Sequence, residues 1–243
     1  MSLFESRLRV NLDNLIELEK KLKFCEKLRI KNIILEPQND IIKINNELKQ
    51  EINDLTSINI YYRINLKIEN LKVFKKKIQL YHNYPEIICV ESLNPDVQIH
   101  AARDSRVDMI SYANLKLTKS LSKGVLSLVN QNNSFIEFTL APIMIENKTL
   151  QSKAIRNLYR AIKRTIHSKS NYIISGDFSN IYDLRNPKAL ISICHTLIGI
   201  PLSEARKAFS YNVLNLINRV QNRQDNMIYE KGVRLIKGDK EIG

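Results

Sequence analysis

The chain has 243 residues, of which 44% are hydrophobic; 38 Lys plus Arg stand against 25 Asp plus Glu, a formal net charge of +13. No run approaches the roughly 18 uninterrupted apolar residues of a membrane span, and the opening MSLFESRLRVNLDNL has no apolar leader core, so a cytoplasmic protein with no membrane partner is expected. The cationic excess favours a polyanion, above all nucleic acid, over a mere solubility charge or the lysine bias of an AT-rich genome.

In chain order, a first strand is predicted over residues 7–11 (RLRVN). A helix follows over 14–28, with Leu15, Leu18, Leu22 and Cys25 at helical spacing. A strand over 32–36 (NIILE) stops before Pro37, and a helix is expected over 40–53. The run 58–66 (INIYYRINL) reads as a strand, and 68–80 as a helix with Leu71, Phe74 and Ile78 on one face. The strand 87–91 (IICVE) leads to Asn94-Pro95, a cap and first-turn signal for a helix through Ala102.

A strand over 107–111 (VDMIS), a helix over 116–129 and a strand over 134–140 (SFIEFTL) come next. Residues 152–167 form a long amphipathic helix, and 172–175 (YIIS) the last strand. Helices over 187–198, 202–209 and 211–223 close the pattern, the first of them stopped by Gly199. Residues 224–243 read as a basic, partly ordered tail beyond one domain over 1–223. Seven strands alternating with helices predict a parallel sheet with helices outside. The length suits a seven-stranded, TIM-like β/α barrel, with an open doubly wound sheet as the structural alternative.

Chemistry in such folds sits at the C-terminal ends of strands. Those ends offer Asn11, Glu36, Leu66, Glu91, Ser111, Thr139 and residues 175–177, with no histidine among them. Glu36 and Glu91 could form an acid/base pair. Glu137, inside a strand, reads as an inward carboxylate with a buried partner. His82, His100, His167 and His195 are scattered, and Cys25, Cys89 and Cys194 lie apart in apolar stretches. That pattern gives a metal centre or a disulfide little support.

The cations are more informative. Lys153, Arg156, Arg160, Lys163 and Arg164 recur at helical spacing as one stripe, with no acidic residue between Lys153 and His167. The stripe is either a solvated face or a phosphate-binding one. Smaller groups are Arg103 with Arg106, Lys116 with Lys119 and Lys123, and Arg206 with Lys207. Arg185 and Lys188 flank the helix start Asn186-Pro187, where the macrodipole prefers anions. They fit a phosphate site there, or Arg185 pairs structurally with Asp177 or Asp183.

The stretches RVDMISYAN (106–114), NNSFIEFTLAPIM (132–144) and YIISGDFSNIYDLRNPKALISICHTLIGIPLSEARKAFSYNVLNLINR (172–219) resemble archaeal ribonuclease P protein component 3, homologous to the eukaryotic thirty-kilodalton subunit. The carrying pattern is a strand ending in Ser, an Asp-hydrophobic-Arg-x-Pro turn, a helix ending near Gly, then Ala-(Arg/Lys)-x-x-x-Ser. The resemblance implies a barrel like that of the polymerase and histidinol phosphatase hydrolases without their metal cluster. Where that pattern wants His-x-His on the first strand, this chain has Arg7-Leu8-Arg9.

The resemblance further implies a subunit of the ribonucleoprotein that removes the 5′ leader from precursor tRNA. In that family the RNA subunit hydrolyses with magnesium, and the protein stabilises the RNA's catalytic domain together with component 2. The implied partners are ribonuclease P RNA, component 2 (a heterotetramer among the assemblies allowed), other ribonuclease P proteins and, indirectly, precursor tRNA. No catalytic residue, metal or cofactor is expected in this chain. Carried over, the RNA-binding positions are Arg185, Arg160 or Lys163, Arg206 or Lys207, and one of His100, Arg103 and Arg106. Two rivals stand beside this reading: an autonomous metal-dependent phosphoesterase of the polymerase and histidinol phosphatase type, and an interaction subunit whose basic helices meet an acidic face of component 2.

Overall fold

The computed structural model describes residues 2–39, 43–178, 180–224, 228–230 and 233–234. Seven strands, β1 (Glu5–Val10), β2 (Asn32–Pro37), β3 (Asn59–Lys67), β4 (Ile87–Glu91), β5 (Met109–Tyr112), β6 (Phe135–Thr139) and β7 (Tyr172–Ser175), lie side by side in chain order. Every neighbouring pair is parallel. Each connection therefore crosses back along the outside, and the sheet curls into a nearly closed barrel.

The connections carry α1 (Leu15–Lys27), α2 (Asn46–Asp54), α3 (Leu71–Ile78), α4 (Pro95–Arg103), α5 (Leu115–Ser120), α6 (Lys123–Gln131) and α7 (Lys148–His167). After β7 come α8 (Pro187–Thr196), α9 (Leu202–Ala208) and α10 (Tyr211–Gln224). Asparagine starts most of them: Asn14, Asn45, Asn70, Asn94, Asn114, Asn147 and Asn186 each accept a first-turn N–H through the side chain. The cap satisfies a donor that has no partner within the helix, worth about 1 kcal/mol each.

Strand alternation divides the core. Leu8, Val10, Ile33, Leu35, Ile88, Val90, Ile136 and Ile174 pack outward against the helices. Phe4, Ile34, Ile87, Cys89, Met109, Phe135 and Ile173 point inward at the N-terminal strand ends, where Val213, Leu216, Ile217 and Val220 of α10 cover them. Helix α10 thus plugs the barrel floor. Two arginines of that helix fix it: Arg219 Nε and Arg223 Nη1 approach Asp108 Oδ1 at 3.1 and 2.9 Å.

The seam between β1 and β7 carries no backbone ladder. A fully buried carboxylate joins its two sides instead. Glu5 Oε1 accepts N–H groups from Arg7 at 3.1 Å and from Gly176 at 3.0 Å. A Cβ at position 176 would lie 2.7 Å from Glu5 Oε2 and 2.8 Å from the Phe178 ring, so glycine is required by close approach.

The structure corrects three sequence expectations. The helix expected over 116–129 is two helices, because Ser122 Oγ accepts Val125 N at 3.2 Å and starts α6 afresh. Of the helix expected over 40–53, residues 40–42 lie outside the described residues, 43–45 are not helical, and α2 starts after its Asn45 cap. Gln224, assigned to the tail, ends α10; beyond it β8 (Ile228–Glu230) and β9 (Val233–Arg234) pair antiparallel, and the remaining tail lies outside the described residues.

Candidate nucleic-acid interface and an occupied barrel mouth

The C-terminal end of the barrel is filled by paired charges. Arg7, fully buried on β1, donates to Glu36 at 2.9 Å, Glu91 at 3.2 Å, Glu137 at 3.3 Å and the Ser111 hydroxyl at 3.0 Å. Arg63, equally buried on β3, grips Glu137 with both terminal nitrogens, at 2.5 and 2.8 Å, and places Nε 3.0 Å from Glu36. Arg9, one turn of the pleat above Arg7, holds Asp177 at 2.7 and 2.9 Å. Ser175 Oγ completes the shell of Glu137 at 2.8 Å.

These ionisations are set by one another. Burial opposes charge on Glu137, but the Arg63 and Arg7 guanidiniums override it and hold the carboxyl at about 2. Burial likewise works against Glu36, and the same two arginines bring its pKa below the usual value. Burial pushes Asp177 up to about 6, tempered by Arg7 and Arg9. Glu5, set away from the guanidiniums, is pushed up to about 8 by desolvation despite its two backbone hydrogen bonds.

Glu36 and Glu91, considered above as an acid/base pair, are therefore both held by Arg7. Glu137 is the inward, paired carboxylate that its position in the strand suggested. Among the described residues, no group of three or more His, Cys, Asp or Glu side chains is placed to hold a metal ion. The donor set at the mouth fits guanidinium rather than a metal cluster, since each inward carboxylate already faces a permanently charged arginine.

The exposed cations converge elsewhere. A groove of about 920 Å³ runs between α7 on one wall and α5 and α6 on the other. Lys119, Lys123, Arg160, Lys163, Arg164 and His167 line it with Leu126 and Tyr159, and no carboxylate does. None of its lysines or arginines forms an ion pair among the described residues. Arg164 Nη1 reaches Leu121 O at 3.4 Å, at the break between α5 and α6, and so ties the two walls together. The groove thus unites two clusters, from 119–123 and 160–167, that are separate in sequence.

The remaining candidate residues are dispersed. Arg156 and Lys116 are exposed on α7 and α5 but do not line the groove. Arg103 is exposed at the end of α4, and His100 is half-buried on the same helix. Arg106 is held by Asp104 at 2.7 and 2.8 Å. Lys207 pairs with Glu204 at 2.9 Å, while Arg206 beside it is exposed.

Arg185 corrects the ion pair considered for it. Its guanidinium donates to the carbonyls of Tyr182, at 2.6 Å, and Leu184, at 2.8 Å, while Asp177 belongs to Arg7 and Arg9. Lys188 stays exposed at the start of α8. Sequence reasoning missed Arg7, Arg63, Arg219 and Arg223 as organising residues. For Arg63 the available signal was a charged residue in the middle of a largely apolar strand, facing inward by alternation; Arg7 shares its strand with Glu5 and Arg9, and Arg219 and Arg223 lie on a helix.

Fold and mouth together define a TIM-like β/α barrel with internally paired charges at its strand ends and unpaired cations on its helices. The chain belongs to the RNase P subunit p30 family, whose model matches residues 6–225, a family of ribonuclease P protein subunits. Ribonuclease P protein component 3 of Methanocaldococcus jannaschii is 22% identical over 230 residues, spanning 94% of this chain and 98% of that protein. A chain from the cryo-EM structure of archaeal ribonuclease P with mature tRNA superposes with a TM-score of 0.79 at 18% identity, covering 98% of this chain and all of that one. A putative prolidase from Bifidobacterium longum shares the fold alone, at 8% identity and a TM-score of 0.62 over 90% of this chain and 70% of that one. No helix among the described residues is long and apolar enough to cross a membrane.

Proposed function

We propose that this ribonuclease P subunit is itself non-catalytic and works by binding ribonuclease P RNA through the α5–α6/α7 groove. The observation that carries the reading is the groove's lining of five lysines and arginines plus His167, with no carboxylate among them. Like charges so placed repel one another in the free protein. RNA phosphates relieve that repulsion and release counterions, which favours binding at low salt.

Arg185 and Lys188 at the start of α8, and Arg206 on α9, supply further contacts. Charge neutralisation by several such positions lets RNA helices pack and retain the magnesium that the RNA uses for hydrolysis. Component 2 and the other ribonuclease P proteins share the task, and precursor tRNA is engaged through the assembled particle. The phosphoesterase alternative is disfavoured because Glu36, Glu91, Glu137 and Asp177 are all held by arginine.

Photo-cross-linking in the reconstituted particle tests the assignment. RNA is expected at Lys119, Lys123 and Lys163. Cross-links from these lysines to component 2 instead of RNA would support the interaction-subunit reading and remove this one.

A further inference from the structure

We propose that the groove receives an unpaired nucleotide, its base lying on the Tyr159 ring and its phosphate against Arg160 and Lys163. The inference deepens the RNA-binding reading above and rests on it.

A duplex backbone needs only cations. This groove offers more: Leu126 and Tyr159 also line it. Tyr159 is 37% exposed, a large aromatic left open to solvent. Lys163 Nζ donates to the Tyr159 hydroxyl at 3.2 Å and sits 5.5 Å from the ring centroid.

An aromatic ring so placed loses little freedom when something lands on it, which favours binding. Every base has a π-face, so the contact is tolerant of sequence, and single-stranded or bulged RNA is the form that can present one. The volume, about 920 Å³, lies within the range of sites that enclose a single small ligand. Lys119 and Lys123 on the opposite wall are placed for the flanking phosphates.

The test uses the full chain and two RNA hairpins, identical except that one carries a single-nucleotide 2-aminopurine bulge. The bulged hairpin is expected to bind about tenfold more tightly, with quenching of its fluorescence as the base stacks. Tyr159→Phe should keep both effects. Tyr159→Leu should bring the two hairpins to equal affinity and abolish quenching.

Equal affinity of the wild-type protein for both hairpins overturns the nucleotide assignment and leaves the RNA-binding reading standing. So does a Tyr159→Leu variant that keeps the preference. The double variant Arg160→Glu/Lys163→Glu should weaken both hairpins. If it weakens neither, the groove does not bind RNA and both readings fall.

Discussion

The Glu5 carboxylate accepts the backbone N–H of Gly176 at 3.0 Å, joining β1 to the segment after β7 where no ladder connects the strands. Burial of that carboxyl, which outweighs the pull of its two backbone hydrogen bonds, makes the barrel's closure depend on pH. In the folded chain the Glu5 carboxyl is pushed up to about 8, against 4.5 as its ordinary value. Between those values the folded state binds more protons than the unfolded one. The Glu5 contribution is thus fully present below the ordinary value and is lost as pH rises through about 8. Glu5→Gln keeps the acceptor and removes the titration. Urea melts from ~pH 5 to ~pH 9 should show a shallower loss of stability for Glu5→Gln; a decline as steep as that of the unaltered protein would contradict the assignment.

Gly176→Ala is expected to lower stability by about 1–3 kcal/mol, because its Cβ meets the Glu5 carboxylate and the Phe178 ring in a filled interior. The same melts at neutral pH check this. An unchanged midpoint would mean that the seam relaxes freely.

The buried Arg63–Glu137 pair gives an acid-side prediction of opposite sign. Glu137 is held at about 2, so its contribution is present above the ordinary carboxylate value and is lost as pH falls through about 2. Arg63→Met strands Glu137 with its weaker partner Arg7, at 3.3 Å, and should cost about 3–5 kcal/mol. The double variant Arg63→Met/Glu137→Met should recover most of that loss. Additive losses in the double-mutant cycle would show that the two residues do not act as a pair.

Arg185 and Arg106 separate surface function from local structure. Among the described residues Arg185 bonds only carbonyls within three residues of itself, so Arg185→Ala should leave stability within about 0.5 kcal/mol while weakening RNA-dependent activity. Arg106→Ala breaks a partly exposed double contact with Asp104 and should cost up to about 1 kcal/mol. Calorimetry alongside an RNA-binding assay reads both. A large drop in melting temperature for Arg185→Ala would return that residue to a structural role.

Most strands were legible as short apolar runs, and β4 and β7 fall where the pattern places them, whereas β1 alternates charged and apolar residues. The Asn-Pro starts of α4 and α8 were equally plain. What the sequence hid is convergence. Arg7 and Arg63 read as unrelated charges on two strands, because only barrel closure brings them onto Glu36, Glu91 and Glu137. The stripe near 160 reads as a solvated or a phosphate-binding face, but nothing in the sequence joins it to the lysines near 119; the packing of α5 against α7 does. The amphipathic pattern of α10 did not reveal whether it covers the barrel's side or plugs its floor.

The most direct measurement is precursor-tRNA cleavage by the reconstituted particle across magnesium concentrations, comparing the unaltered chain with Arg160→Glu/Lys163→Glu. The groove variant should need more magnesium for the same cleavage rate, and the chain alone should cleave nothing. Cleavage by the chain without the RNA subunit, or an unchanged magnesium requirement in the groove variant, would contradict a non-catalytic subunit that acts through this groove.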